Sequence, residues 1–162
     1  MAVSSYAPPS ERPPLFTYAT LMALFAALFS GGLIAARRSG RDLPDRIGNV
    51  DLLTIGVASH KLSRLISKDK VTSPLRAPFT ELEEPGGPGE VEERSRGKGA
   101  RKAIGEMLIC PYCLGLWVAS AFAIGLLFAP RLTRFLAAIF SALTISDFLQ
   151  IAYKAAEEKG LG

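Results

Sequence analysis

Residues 107–129 read Met-Leu-Ile-Cys-Pro-Tyr-Cys-Leu-Gly-Leu-Trp-Val-Ala-Ser-Ala-Phe-Ala-Ile-Gly-Leu-Leu-Phe-Ala, with no charged side chain. A helix needs about 20 such residues to cross the hydrocarbon core of a bilayer. Two other runs match it: Leu15–Ala36 carries no charge, and Phe135–Tyr153 carries only Asp147. Of the 162 residues, 49% are hydrophobic and 21% charged, and the apolar ones gather in these blocks instead of spreading through the chain. The pattern predicts an all-α integral membrane protein. About three transmembrane helices are expected, plus one amphipathic helix that is either interfacial or a short span, and the first partner implied is the lipid bilayer.

The first run is too long for a signal-peptide core, and Glu11 and Arg12 leave its flank without net positive charge. Arg37 and Arg38 follow it like a stop-transfer flank, so residues 15–36 are expected to be an N-terminal transmembrane anchor behind a disordered Pro-rich tail, residues 1–14. Within the anchor, Ala19, Ala23, Ala27, Gly31 and Ala35 recur at every fourth position. Residues four apart share a helix face, so this smooth stripe is expected to pack against another helix.

Asp51–Ser67 places Leu52, Ile55, Leu62 and Ile66 on one side and His60, Lys61 and Arg64 on the other. Such an amphipathic helix suits the membrane interface, its cations among headgroups. Residues 68–79 read as an ordered extension. From Thr80 to Ala100 an acidic run (Glu81, Glu83, Glu84, Glu90, Glu92, Glu93) gives way to a basic one (Arg94, Arg96, Lys98), with Gly and Pro between. Having almost no apolar residues to bury, residues 80–100 are expected to be a disordered charged loop. Residues 154–162 form a C-terminal tail.

Basic residues collect on the cytoplasmic side of membrane proteins. With three spans and the amphipathic helix on the inner surface, 16 of the 19 basic residues fall inside, which predicts the N-terminus out and the C-terminus in. If the amphipathic helix spans and the N-terminus is inside, the division is 11 inside, 6 outside and 2 within the membrane. The net charge of +4 therefore needs no nucleic acid to explain it, and no nucleic-acid motif is present.

Cys110 and Cys113, the two cysteines of the chain, lie three apart at the start of the central run. Pro111 is tolerated there because the first turn of a helix leaves its N–H groups unbonded. A helix N-terminus also stabilises thiolate. Three readings stand side by side: small apolar groups that pack in a reducing compartment, a redox dithiol, or half of an intersubunit metal site. Cys-Pro-Tyr-Cys is also the glutaredoxin tetrapeptide, but that active site follows a strand in a soluble βαβ fold, and here a membrane helix surrounds it. A structural zinc wants four ligands, and His60 is the only histidine. No cofactor is predicted. Asp147 is an acid within a span, and Arg64 or His60 is expected to pair with it. Trp117 lies one turn beyond Cys113 on the same face, as a packing anchor, while Gly115 and Gly125 allow close helix contact.

Taken in order, Ala58-Ser-His-Lys-Leu-Ser-Arg-Leu-Ile66, Asp69, Pro74-Leu-Arg-Ala-Pro-Phe79 and Cys110-Pro-Tyr-Cys-Leu-Gly-Leu-Trp117 resemble a bacterial family, domain of unknown function 1360, over about residues 50–153. The charged insert at 80–106 and the additional N-terminal span depart from the family's pattern. The resemblance implies a small multi-pass protein of the bacterial inner membrane, gives some weight to four spans, and supplies no activity. The expected function is that of a non-enzymatic scaffold or interaction subunit, a homo-oligomer or a partner of another membrane protein, held by a polar cluster of His60, Arg64, Asp69, Arg76 and Asp147. The alternative is a membrane thiol-disulfide oxidoreductase using Cys110 and Cys113.

Overall fold

The computed structural model describes residues 13–160, so the expectation for the N-terminal tail falls largely outside the described residues. The chain is mostly helical: α1 (Leu15–Arg38), α2 (Asn49–Lys68), a 3₁₀ turn (Lys70–Thr72), α3 (Ser73–Arg76), β1 (Thr80–Pro85), β2 (Val91–Ser95), α4 (Gly99–Leu108), α5 (Pro111–Phe128) and α6 (Pro130–Gly160). Three of these, α1, α5 and α6, are long and apolar enough to cross a membrane.

Prolines set the boundaries of the last two helices. The apolar run from Met107 breaks at Ile109–Cys110, and Pro111 opens α5 with the Cys110 thiol at the cap, where Sγ accepts the Cys113 N–H at 3.2 Å. Ala129 then turns the chain and Pro130 starts α6. The turn is tight because Gly125 has no side chain: a methyl there would sit 2.6 Å from Thr133 Oγ1. At Gly115, by contrast, a methyl would meet nothing within 4 Å among the described residues.

Within the fold, α2 packs lengthwise in the bundle. Asp51 meets Arg134, the Thr54 carbonyl accepts from Ser141, and Lys61 meets Asp147. Numbers rising together on both helices mean that α2 runs parallel to α6, lengthwise, instead of lying across the helix ends. The physical reason is its buried face of small residues, Ala58, Ser59, Ser63 and Ser67, which lets neighbouring backbones come close. A compact apolar centre forms where Ala58, Val118, Phe122 and Ala137 meet, flanked by Ile55, Leu62, Ile66 and Phe140.

α1 runs parallel to α5: Phe25 packs edge-on against Trp117 at 5.2 Å, a methyl on Gly32 would lie 3.0 Å from Ile124, and the Arg41 guanidinium sits 5.1 Å over the Phe128 ring. The long helices thus alternate in direction. The start of α1, the end of α2, the start of α5 and the end of α6 share one end of the bundle.

The expectation of disorder at 80–100 is corrected. β1 and β2 form an antiparallel hairpin, Thr80 opposite Ser95 and Pro85 opposite Val91, with an irregularity between Leu82 and Glu84. Glu93 and Val91 turn inward, and α4 packs on β2 through Gly105, where an added methyl would lie 2.5 Å from the Phe79 carbonyl oxygen. Hairpin and α4 together cap the end of α2.

Candidate functional site

Arg76 organises the capped end. Its side chain is wholly buried, and every polar contact it makes is satisfied by the chain around it. Nε donates to Glu93 Oε2 at 2.8 Å and a terminal nitrogen to Glu93 Oε1 at 3.1 Å, a two-point pairing. The other bonds go to the Ile66 carbonyl (2.7 Å), Thr72 Oγ1 (2.6 Å), the Asp69 carbonyl (3.0 Å) and Ser73 Oγ (3.2 Å). Thr80 Oγ1 donates to Glu93 as well, at 2.9 Å. Burial alone raises the pKa of Glu93, but the bonds from Arg76 and Thr80 and the Arg76 charge outweigh it and hold the carboxyl below its usual range. One arginine therefore ties the end of α2, the turn that follows it, α3 and β2 into one body. Asp69 contributes locally: its carboxylate accepts the Val71 N–H at 3.0 Å and caps the 3₁₀ turn.

The pairing expected between Arg64 and Asp147 is replaced by a shifted one. Lys61, one turn earlier, reaches Asp147 at 2.6 Å, while Arg64 forms a two-point pair with Glu90 at 2.7 Å and Lys68 meets Glu92 at 2.6 Å. Lys61, Arg64 and Lys68 occupy one helix face by their three- and four-residue spacing, and the hairpin's acids answer two of them. That ladder facing Glu90, Glu92 and Glu93 was the available signal, and the reading of 80–100 as solvated linker concealed it. His60 is exposed on α2. Among the described residues no three His, Cys, Asp or Glu side chains converge on a point where a metal could sit.

Cys110 and Cys113 are both free thiols, Cys110 half-buried and Cys113 exposed. Cys113 and Trp117 line the same cleft, a space of about 530 Å³ between α1 and the α4–α5 corner. Tyr18 of α1 donates its hydroxyl to Glu106 of α4 at one end of this cleft, and Phe25 meets Trp117 at the other. The polar groups Arg64, Asp69 and Arg76 join the hairpin cap and not the thiols.

The alanine ladder of α1 does not make its expected contact within the chain. Ala19, Ala23, Ala27, Gly31 and Ala35 are all exposed, and the face turned to α4 and α5 is instead Tyr18, Phe25, Gly32 and Ala36.

A family model described as "Protein of unknown function (DUF1360)" matches residues 54–153, more than half of the chain, and leaves α1 outside the match. Among curated proteins, the sporulation protein YjcA of Bacillus subtilis (strain 168) is 36% identical over 76 residues, 45% of this chain and 64% of that protein. The UPF0713 protein YngL of the same strain is 34% identical over 89 residues, 54% of this chain and 66% of that protein. The chain spans slightly less than two thirds of the length of either relative. No solved structure matches.

Proposed function

Since the chain belongs to the DUF1360 family, whose description carries no activity, we propose a role from the geometry: a four-pass protein of the bacterial inner membrane that acts without catalysis, as an interaction subunit presenting the hairpin–α4 cap at the cytoplasmic face. Helices α1, α5 and α6 supply three passes by length and composition. Because α2 lies lengthwise against α5 and α6, it crosses with them as the fourth, its Lys61 neutralised by Asp147. Outward residues such as Phe135, Ile139, Leu143 and Phe148 are exposed and form the lipid-facing belt. Both chain ends then lie on the side of the cap. That side holds 11 basic residues against 6 on the other, in keeping with the positive-inside bias.

The observation that carries the interaction reading is the buried Arg76–Glu93 pair. It fixes a strongly charged hairpin rigidly to the end of α2, and the exposed outer strand, where Arg94 meets Glu81 at 3.1 Å and Glu83 at 3.9 Å beside Glu84, is the surface offered to a partner. The arrangement is tested in a background with both cysteines replaced by alanine. Asp45→Cys, in the α1–α2 connector, is expected to react with a membrane-impermeant maleimide on intact cells, and Gly87→Cys, at the hairpin tip, only after permeabilisation. Labelling in the reverse order overturns the arrangement.

One observation favours a second reading, a thiol oxidoreductase: Cys113 is exposed on the cleft while its own N–H bonds the Cys110 sulfur. Acid trapping and a maleimide-polymer gel shift read the thiol state in native membranes. The interaction reading expects two reduced thiols and a double alanine variant that still complements a deletion strain, whereas the redox reading expects a reversible disulfide and a null variant. Sporulation, which names one relative, is the first phenotype to score.

A further inference from the structure

The cleft between α1 and the α4–α5 corner is a space that the interaction reading leaves unused. α1 and α5 are pinned together at Phe25–Trp117 and again at Gly32–Ile124, and Tyr18 fastens α1 to Glu106 of α4 beyond. Between these pins the helices part. Ala26 and Ala103 are too small to close the gap, and about 530 Å³ stays open between the walls. That volume falls within the roughly 300–1,000 Å³ of small-molecule sites. The cleft is open along its side, with Met22 and Leu116 largely exposed, and an apolar surface of this kind marks a place that apolar matter covers. Water is a poor tenant, since each molecule needs two to four polar partners and the walls are nearly all carbon.

The polarity of the cleft is graded. Leu21, Met22, Phe25 and Trp117 line its length, and its single charge, Glu106, stands at the α4 end. Lys102, one turn earlier on α4 and outside the lining, approaches Glu106 to 3.8 Å, so a base stands next to the acid at the mouth. In the four-pass arrangement this mouth lies at the cytoplasmic interface and the apolar part at the depth of the inner leaflet's chains. We propose that the cleft holds one acyl chain of an inner-leaflet phospholipid with a zwitterionic headgroup, the ammonium beside Glu106 and the phosphate beside Lys102. The inference rests on the membrane reading of the preceding subsection.

Trp117 is the only tryptophan of the chain and lines the cleft, so the fluorescence has a single source there. The purified full-length protein is reconstituted into vesicles containing phospholipid brominated on the acyl chains, and recovery of protein with floated vesicles is scored first. Failure to float overturns the membrane reading. With floating protein, bromolipid is expected to quench Trp117 strongly. Ala26→Phe, which fills the cleft, is expected to cut that quenching at least by half, with Ala26→Ile as a milder filling should the larger ring prevent folding. Ala19→Phe, on the exposed face of α1, is expected to leave it unchanged. At equal mole fraction, zwitterionic bromolipid in an anionic host is expected to quench more than anionic bromolipid in a zwitterionic host. Quenching that ignores the Ala26 substitutions means contact with annular lipid only and overturns the proposal, as does equal or stronger quenching by the anionic lipid.

Discussion

Arg76 and Glu93 show how much a single pair can carry when the region around it has almost no apolar core. Removing one partner of a buried ion pair leaves the other charged and unsolvated, at a cost of about 3–5 kcal/mol. Glu93→Ala is therefore expected to release the hairpin, measured as faster amide exchange and faster proteolysis over residues 80–98 in the solubilised protein. The same pair makes the cap sensitive to acid. The folded pKa of Glu93 lies below its unfolded value of about 4.3. Its contribution is fully present above that unfolded value and is lost as the pH falls through the folded one. Hairpin protection should then hold at neutral pH and decline below about pH 4, and Glu93→Gln should be less protected at neutral pH and show a weaker acid dependence. At this scale the sequence was half legible. An acid within an apolar run advertised its need for a partner, but which cation supplies it depends on helix rotation. Lys61, Arg64 and Lys68 share a face, and a shift of one turn separates the expected Arg64–Asp147 pair from the observed Lys61–Asp147 pair. Lys61→Asp or Asp147→Lys alone should reduce the yield of folded protein, and the exchanged double variant should recover part of it. Equal loss in single and double variants would count against the pair.

Among the elements, the apolar helices announced themselves and the hairpin did not. Leu15–Arg38, Pro111–Phe128 and Pro130–Gly160 contain the three runs that hydropathy singles out. β1 and β2 offered Thr-Glu-Leu-Glu-Glu-Pro and Val-Glu-Glu-Arg-Ser, compositions that elsewhere mark a solvated linker. What folds them is docking: Val91 and Glu93 turn inward, α2 meets their acids with Arg64 and Lys68, and α4 closes on Gly105. A side chain at residue 105 must displace backbone, because the nearest obstacle is the Phe79 carbonyl. Gly105→Ala is expected to destabilise the cap by about 1–3 kcal/mol, the usual range for overpacking, seen as loss of protection in both the hairpin and α4. If only α4 responds, the two do not form one unit. The α1 ladder lies on the exposed face of its helix in the single chain. Every-fourth-residue spacing identifies a face but not which neighbour it meets, and here the Tyr18–Phe25–Gly32 face meets α4 and α5.

At the scale of the whole molecule, four helices of alternating direction bring the start of α1 and the end of α6 to the capped end, and the four-pass reading divides the basic residues 11 against 6, a weaker bias than the 16 against 3 of three passes. The decisive datum, the lengthwise course of α2, is a tertiary fact. The amphipathicity of Asp51–Ser67 suits a bilayer surface and a bundle interior alike, and only its neighbours distinguish them. Those neighbours arrive late. Lys61 finds Asp147 across 86 positions of sequence, and Arg64 finds Glu90 across 26. At a synthesis rate of about 5–20 residues per second, roughly 4–17 seconds separate the emergence of Lys61 from that of its counter-ion. During that interval α2 would face the hydrocarbon with an uncompensated cation. If the four-pass proposal holds, α2 is expected to cross only once α6 supplies Asp147 to Lys61. A nascent chain arrested before Asp147 should leave α2 at the cytoplasmic surface, and one released after it should not.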